Sequence, residues 1–177
     1  MQYISHYQSP LGDILLAADE IGLTGLWFEG QKYFALYLDQ EHEEKEVPVL
    51  EQTKKWLDVY FSGREPDFTV PFHFIGTDFQ NQVWEILAAI PYGQTTTYGE
   101  IAKQLAAKRG LKRMSAQAVG GAVGHNEISI LVPCHRVVGT NGSLTGYAGG
   151  IDKKVALLKL EGAYKEEYFV PKHSTAP

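Results

Sequence analysis

The chain has 177 residues, of which 44% are hydrophobic and 12% aromatic, enough apolar surface for one or two small domains with their own cores. A single cysteine excludes an intramolecular disulfide and any structural zinc site that needs two or more thiolates. The first residues, MQYISHYQSPLGD, do not resemble a signal peptide, and no apolar run reaches the ~20 residues that span a bilayer. We therefore expect a cytoplasmic protein without a membrane partner.

The first part of the chain predicts strands followed by a helix. Apolar residues alternate or run continuously at 3–7, 13–17 and 23–28, and turn residues separate these stretches. The acidic run at 39–46 predicts a solvated loop or a helix end. Pro48 then begins a helix that we expect to extend through residue 61 and to end at Gly63.

The second part predicts mainly helices. Two of them, at 98–107 and 115–125, are joined by a short connection. An apolar segment that carries the cysteine follows, and a last amphipathic helix ends at Gly162. The expected N-caps are Asp78, Thr97 and Ser115, and we expect the last helix to start at Asp152.

Charge is distributed unevenly along the chain. Residues 1–78 hold 5 Lys and Arg against 14 Asp and Glu, whereas residues 79–163 hold 9 against 5. The net charges are therefore −9 and +4. This asymmetry indicates that any polyanion binds the second half, although chance clustering beside a solvated acidic loop explains the same counts.

The pair of helices at 98–107 and 115–125 has the outline of a helix-turn-helix. Its second helix contains Gly120, Gly121 and Gly124, each of which costs a helix roughly 1 kcal/mol relative to alanine. Such glycines indicate that another backbone approaches closely. That neighbour is either another helix of the same domain or the minor groove of DNA, where a face of small side chains fits.

Cys134 is the candidate nucleophile, although a lone cysteine is more often an inert buried residue. The adjacent His135 and Arg136 make its surroundings electropositive, which favours the thiolate. Glu161 in the last helix is a candidate to orient the histidine. Neighbouring side chains diverge in an extended segment, so we expect a water molecule to bridge Cys134 and His135.

The run ILVPCHRVVG at residues 130–139 closely resembles the active-site signature of the O6-alkylguanine-DNA alkyltransferases. Further matching segments occur in the same order along the chain. They are TYGEIA at 97–102, AVGGAVG at 118–124, Asn126, GYAGG at 146–150, and Lys154 through Gly162. Matching residues are frequent over residues 77–163. Over residues 1–76 the resemblance is limited to the length of the segment and the pattern of its strands.

The resemblance implies an α/β (α+β) protein with a ribonuclease-H-like N-terminal domain and a C-terminal winged helix-turn-helix domain. We place these domains at residues 1–76 and 77–163, followed by a tail at 164–177. The implied function is DNA repair. A monomer binds double-stranded alkylated DNA through the minor groove and flips out the damaged base. The alkyl group of O6-alkylguanine, or of O4-alkylthymine, then moves irreversibly to Cys134, once per chain, with no cofactor and no metal.

The same resemblance assigns roles to individual positions. Cys134 accepts the alkyl group, His135 is the water-bridged base, and Glu161 orients it. Asn126 ties the helix-turn-helix to the active-site strand. Tyr98 crowds the DNA phosphate, drives rotation of the nucleotide and donates to the flipped base. The remaining positions implied at the DNA or at the base are Gln117, Ala118, Val137, Tyr147 and Ala148.

This chain departs from the family pattern at several positions. Gln117 stands where an intercalating arginine is usual, and it brings no charge and stacks less well. Glu127 replaces a common proline, and Ala148 a serine of some members. The connection between the helices, at 103–114, is longer than that of the family, and we expect four of its five basic residues to supply phosphate affinity. They are Lys108, Arg109, Lys112 and Arg113.

Three other functions remain open. A non-enzymatic sensor would bind alkylated DNA without accepting the group, but such proteins lack the cysteine. A cysteine hydrolase built on Cys134, His135 and Glu161 would regenerate its thiol, and a transcription factor would need no thiol. A single stable adduct of about 14 Da on Cys134 after mixing with methylated DNA would decide for the alkyltransferase.

Overall fold

The computed structural model describes residues 1–171, which divide into two compact units. The first unit contains Met1–Ile75 and Glu127–Ser129. The second contains Gly76–Asn126 and the described residues from Ile130 onward. Helices and strands are mixed in the chain, which confirms the α/β class. No helix within residues 1–171 is long and apolar enough to cross a membrane.

The first unit is a four-stranded sheet with one helix. The strands are β1 (Gln2–Ser9), β2 (Gly12–Ala18), β3 (Leu23–Phe28) and β4 (His42–Glu44), in the order β3-β2-β1-β4. The first three pair antiparallel, as expected for short connections, and β4 lies parallel to β1. Helix α1 (Pro48–Phe61) has the predicted bounds and packs on β1, β2 and β3.

Strand β3 is buried along its whole length, and β2 from Ile14 onward, because both faces of the sheet are covered. On one face, Leu15, Ala17 and Trp27 form a cluster with side chains that include Leu38. Helix α1 packs on the sheet with the four residues that it buries. These are Leu50, Thr53, Leu57 and Tyr60.

The prediction of a loop or helix end at 39–46 is wrong, because residues 42–44 form the edge strand β4. All three side chains of β4 are exposed, so the segment shows no apolar alternation that could have indicated a strand. Its two glutamates suit an edge position, because charged side chains there discourage pairing with another chain.

Residues 127–129 join the first unit at strand β3. The Leu26 N–H donates to the Glu127 carbonyl at 2.8 Å, and the Ser129 N–H donates to the Leu26 carbonyl at 3.1 Å. The Trp27 indole N–H donates to the Glu127 carboxyl group at 2.7 Å. Burial raises the pKa of Glu127 to about 7, although the hydrogen bonds from Trp27 and from the Tyr37 backbone oppose the shift.

The second unit contains four helices and a small parallel sheet. Helices α2, α3 and α4 pack on one another, and the Trp84 indole N–H of α2 donates to the Ala122 carbonyl of α4 at 2.8 Å. The elements are α2 (Asp78–Ala88), β5 (Thr96–Thr97), α3 (Tyr98–Lys108), α4 (Ala116–Gly124), β6 (Val137–Val138) and α5 (Ile151–Leu160). Helices α3 and α4 are the predicted helix-turn-helix pair.

The caps of α3 and α4 are those predicted, and the cap of α2 is not. Thr97 and Ser115 each accept a hydrogen bond from the backbone N–H three residues ahead. For α2 the cap is Thr77 instead of Asp78. Thr77 accepts from the Gln80 N–H at 3.1 Å, and the Gln80 side chain accepts from the Thr77 N–H at 3.1 Å. This reciprocal pair satisfies two helix-end donors, which a cap at Asp78 would not do.

The first residues of the predicted tail at 164–177 pack on the second unit. The Leu144 N–H donates to the Phe169 carbonyl at 2.8 Å, and the Phe169 N–H donates to the Gly142 carbonyl at 3.1 Å. Tyr168 is buried in a cluster that includes Val138. Residues 172–177 of the predicted tail lie outside the described part of the chain.

Candidate active site

Cys134 begins a single turn of 3-10 helix, Cys134–Arg136, and is only 4% exposed. Pro133 precedes the turn, and its carbonyl accepts the Arg136 N–H at 2.9 Å. The prediction of an extended segment around Cys134 is therefore wrong. Proline has a fixed φ and no N–H for a strand ladder, so the chain turns here and extends only at β6.

Several hydrogen bonds converge on the Glu161 side chain. Glu161 is the C-cap of α5, and Gly162 follows in the left-handed conformation with φ of 72°. His135 Nε2 donates to Oε2 at 2.6 Å and the Gly93 N–H to Oε1 at 3.1 Å. Arg136 donates from Nε to Oε1 at 2.7 Å and from Nη2 to Oε2 at 3.1 Å. Burial alone would raise the pKa of Glu161, but His135 and Arg136 hold it well below its usual range.

His135 is fully buried, and burial lowers its pKa although the hydrogen bond to Glu161 opposes that shift. The ring is therefore neutral at neutral pH. Because the Glu161 carboxylate can only accept, the ring proton is assigned to Nε2. Nδ1 then carries the lone pair, so this atom is the one able to take up a proton. The ring of Tyr147 lies edge-on to the imidazole, with the ring centroids 6.4 Å apart.

Arg136 does not supply the positive charge next to Cys134 that the sequence predicted. Its guanidinium is bound to the Glu161 carboxylate, and Nη1 donates to the Ile90 carbonyl at 2.7 Å. The charge of Arg136 is thus compensated within a buried ion pair. The adjacency of the two residues in the sequence gave no information about the direction of the arginine side chain.

Lys154 is a second buried cation of the site, and the sequence alone assigned it no role. Burial raises the pKa of the Cys134 thiol, whereas the hydrogen bond from Asn126 and the charge of Lys154 lower it. Lys154 shares the buried face of α5 with Leu157 and Leu158, three and four residues further on. A lysine at an apolar-face position of an amphipathic helix is the signal that could have identified it.

Asn126 connects the end of α4 to the cysteine turn, as the resemblance implies. Its Nδ2 donates to the Val132 carbonyl at 2.8 Å, and the same carbonyl accepts the Cys134 N–H at 2.8 Å. The Asn126 amide also forms a hydrogen bond with the Cys134 side chain. One buried amide therefore fixes both the backbone and the sulfur of Cys134.

Tyr98 lies in the same site because the small sheet places it there. Strand β5 pairs in parallel with β6, with Thr97 opposite Val138, and Tyr98 follows directly. The Tyr98 hydroxyl donates to the Thr145 carbonyl at 3.1 Å. Burial raises the pKa of Tyr98, and the nearby Cys134 raises it further, so the phenol keeps its proton.

The other predicted positions fall into two groups. Val137 and Tyr147 are buried and Ala148 is half-buried in the segments next to the cysteine turn. Gln117 and Ala118 are exposed on the first turn of α4, outside the buried hydrogen-bond network. The basic side chains of the helix connection are exposed as well. They are Lys108, Arg109, Lys112 and Arg113.

The glycines of α4 differ in their surroundings, because Gly124 is buried whereas Gly121 has open space beside it. A Cβ atom added to Gly121 would meet no atom within 4 Å, so no part of the described chain requires a glycine there.

Among residues 1–171, no group of three or more His, Cys, Asp or Glu side chains is arranged to hold a metal ion.

Two family models match the chain. Residues 2–74 match the model described as 6-O-methylguanine DNA methyltransferase, ribonuclease-like domain. Residues 78–163 match the model described as 6-O-methylguanine DNA methyltransferase, DNA binding domain. Together the two matches span most of the chain and have the same order as the two units.

Curated relatives are similar over nearly the whole chain. A methylated-DNA–protein-cysteine methyltransferase of Methanosarcina acetivorans is 45% identical over 161 residues, which are 91% of this chain and 99% of the relative. The protein of that name from Mycobacterium tuberculosis is 44% identical over 159 residues, or 88% of this chain and 92% of the relative.

Solved structures are similar as well. The crystal structure of the Mycobacterium tuberculosis O6-methylguanine methyltransferase is 42% identical, with a TM-score of 0.77 over 92% of this chain and 94% of that chain. The Mycobacterium tuberculosis protein crystallised in complex with DNA is 42% identical, with a TM-score of 0.78 over 91% of this chain and 93% of that chain.

Proposed function

Because this chain belongs to the 6-O-methylguanine DNA methyltransferase family, we propose that Cys134 is the residue that accepts the alkyl group. The chain is a DNA repair protein that moves an alkyl group from methylated DNA to a protein cysteine. Its N-terminal domain is ribonuclease-like and its C-terminal domain binds DNA. One observation carries the proposal for Cys134: the chain contains a single cysteine.

The buried network supports a proton transfer that precedes alkyl transfer. The Cys134 thiol gives its proton to Nδ1 of His135 through a bridging water, leaving a thiolate and an imidazolium. The Glu161 carboxylate, 2.6 Å from Nε2, stabilises the imidazolium. A thiolate is the strongly nucleophilic form of cysteine. Burial opposes its formation, so the reaction depends on the groups that face the sulfur.

Alkyl transfer is then a substitution at the alkyl carbon. The sulfur of Cys134 forms a bond to that carbon, the carbon–O6 bond breaks, and the electron pair goes to the guanine. The Tyr98 hydroxyl keeps its proton at neutral pH. When the base enters, this hydroxyl turns from the Thr145 carbonyl and donates to the base as negative charge develops there. The thioether product is stable to water, so each chain reacts once. O4-alkylthymine presents an equivalent alkyl group and is the second substrate that we propose.

The damaged base reaches this site only after leaving the DNA stack. We place the DNA contacts in residues 77–163 and the docking of the minor groove on the outer face of α4, where Gln117 and Ala118 are exposed and Gly121 is half-buried. Small side chains there permit close approach to a narrow groove. The flipped base then enters a pocket whose walls include Tyr147. A monomer is sufficient for this arrangement, and a cytoplasmic location remains a prediction from the sequence.

Mass spectrometry with methylated duplex DNA tests this function. The native chain should gain about 14 Da on the peptide that contains Cys134, because a methyl group replaces the thiol hydrogen. Cys134→Ala should transfer nothing and still bind unmodified duplex with near-native affinity, since phosphate contacts supply most of that affinity. Methyl transfer by the alanine variant would exclude Cys134 as the acceptor. DNA binding without any adduct on the native chain would indicate a damage sensor.

A further inference from the structure

Lys154 is fully buried, a position that lysine rarely occupies without a charged partner. It lies in the first turn of α5, and its Nζ donates to the Thr145 carbonyl at 2.8 Å. Transfer of an ammonium group from water to a protein interior is costly unless a negative charge compensates it. A group near Lys154 should therefore compensate the charge of its ammonium group.

No carboxylate within residues 1–171 compensates the charge of Lys154. The Glu161 carboxylate pairs with His135 and Arg136, and none of the ion pairs found in this part of the chain includes Lys154. The titratable groups that face Lys154 are Cys134, His135 and Tyr98, whose ring centroid lies 5.9 Å from Nζ. In the resting protein all three are neutral, because burial raises the pKa of the thiol and of the phenol and lowers that of the imidazole.

Only one of these groups becomes an anion during the reaction, and that group is the Cys134 thiol. We propose that Lys154 is the buried counter-cation of the Cys134 thiolate and stabilises the charge that forms on sulfur when the thiol gives its proton to His135. The inference rests on the proposed role of Cys134 as acceptor. Lys154 exchanges neither a proton nor an alkyl group in this step, and it acts on the sulfur through its charge.

The hydrogen bonds of the site hold the ammonium where this role requires it. The Thr145 carbonyl accepts both from Lys154 Nζ at 2.8 Å and from the Tyr98 hydroxyl at 3.1 Å. One backbone oxygen thus positions the cation and the phenol together. The interaction with Cys134 is also mutual. Burial lowers the pKa of Lys154 to about 8, and a charged Cys134 raises it, while the Lys154 charge lowers the pKa of the thiol.

Two substitutions of Lys154 separate the effect of its charge on the Cys134 thiol from the effect of its shape. Lys154→Gln keeps a donor for the Thr145 carbonyl and removes the charge, whereas Lys154→Arg keeps the charge. The readout is the pH dependence of the rate at which iodoacetamide alkylates Cys134, which follows the thiolate fraction of the only cysteine. The glutamine variant should contain about tenfold less thiolate at neutral pH, as expected for loss of a nearby opposite charge. The arginine variant should recover most of it.

Lys159→Gln is the matched control, because it removes the same charge from an exposed position of α5. Solvent screens that charge, so the control should have the native thiol pKa. A purely structural role of Lys154 would slow alkylation by the same factor at every pH and leave the pKa of Cys134 at its native value. That result would overturn the proposal, as would equal effects of the glutamine substitutions at 154 and 159.

The native chain provides a second test if the glutamine variant does not fold. An NMR titration of the Lys154 side-chain nitrogen should show a change in chemical shift at the pH where the Cys134 thiol ionises, and that change should vanish after Cys134 has been methylated, because the thioether cannot become an anion. A titration curve that is the same before and after methylation would overturn the proposal. Peptide mapping of the methylated chain keeps the two hypotheses distinguishable. A methyl group on another residue would refute Cys134 as acceptor, whereas the iodoacetamide titration would still report on Lys154 and the thiol.

Discussion

Arg136 and Glu161 form a buried bidentate ion pair, with Nε 2.7 Å from Oε1 and Nη2 3.1 Å from Oε2. The third nitrogen of the guanidinium donates to the Ile90 carbonyl at 2.7 Å. The planar guanidinium matches the two carboxylate oxygens, which a lysine in its place would not do. The carboxylate is therefore held in one orientation, with Oε2 directed at the imidazole of His135.

Arg136→Met should destabilise the protein by about 3–5 kcal/mol, because it leaves the Glu161 charge buried without its main partner. The free energy of unfolding in urea measures the effect. Lys54→Met is the control, since it breaks the solvent-exposed ion pair with Glu46 and should cost at most about 1 kcal/mol. Similar small losses for both variants would mean that the Arg136–Glu161 pair contributes no more than a surface pair.

Glu161→Gln should slow alkyl transfer by about 100-fold, because the imidazolium of His135 then forms without a facing negative charge. Affinity for unmodified duplex should change little, since Glu161 is buried and makes no phosphate contact. Single-turnover transfer and DNA binding are measured on the same variant, and thermal unfolding verifies that it is folded. A large loss of DNA affinity together with a native transfer rate would argue against a role of Glu161 in the proton transfer from Cys134 to His135. An unchanged thiol pKa of Cys134 would argue against it as well.

Glu127 should make the stability of the native protein fall between about pH 4.5 and pH 7. Its pKa is raised from 4.5 to about 7 in the folded chain, so over this range only the unfolded chain releases the proton. The contribution of protonated Glu127 to the free energy of unfolding is complete below pH 4.5 and is lost as the pH rises through 7. The loss is on the order of 3 kcal/mol. Glu127→Gln keeps an acceptor for Trp27 and removes the titration. Its stability relative to the native chain should therefore increase across this range in urea unfolding. A pH-independent difference would contradict the raised pKa.

Several features were predictable because their signals are local in the sequence. The bounds of α1 follow from Pro48 and from apolar periodicity, and the caps of α3 and α4 follow from Thr97 and Ser115. Residue chemistry already pointed to Cys134, His135 and Glu161, and the resemblance assigned their roles. The fold joins His135 to Glu161 across 26 residues of sequence. Strand β4 was not predictable, because it is polar throughout and pairs with β1 from a distant part of the chain.

The charges of the site were the part that sequence reasoning assigned incorrectly. Arg136 is adjacent to Cys134 in sequence but turns towards Glu161, whereas Lys154 is 20 positions from Cys134 and acts on it through space. Which of two cations faces a thiol depends on the packing of α5 against the cysteine turn. The periodicity of α5 indicates that Lys154 is buried, but it does not encode this tertiary contact with the cysteine turn.

Gly121 permits a test of groove docking that is independent of the chemistry. Because a Cβ atom there meets no atom within 4 Å, Gly121→Ala should stabilise the folded chain by about 1 kcal/mol through helix propensity. Gly121→Leu should also fold, but its larger side chain should weaken binding to duplex DNA, which must approach α4 closely. Transfer from free O6-methylguanine base should remain native in both variants. Native duplex affinity of the leucine variant would place the DNA on another surface.

Gln117 is exposed on the first turn of α4, two residues after the Ser115 cap, and stands where the family usually has an intercalating arginine. Once a nucleotide has flipped out, the gap in the stack must be filled or the base returns. Arginine fills it with a planar cation, whereas glutamine can hydrogen-bond the orphaned base but brings no charge. We therefore predict that this chain holds the flipped state less firmly and that exposed basic residues of the helix connection, such as Lys112, offset part of the lost phosphate attraction.

Gln117→Arg should consequently raise the transfer rate on duplex DNA and leave the rate on free O6-alkylguanine base unchanged, because the free base needs no flipping. Gln117→Ala should slow duplex repair and again spare the free base. Single-turnover rates on the two substrates, measured side by side for both variants, give the comparison. Because Gln117 is exposed, neither substitution should alter the free energy of unfolding by more than about 0.5 kcal/mol, which separates a DNA effect from a folding effect. Equal changes on duplex and free base would instead mean that Gln117 shapes the base pocket and does not fill the gap in the stack.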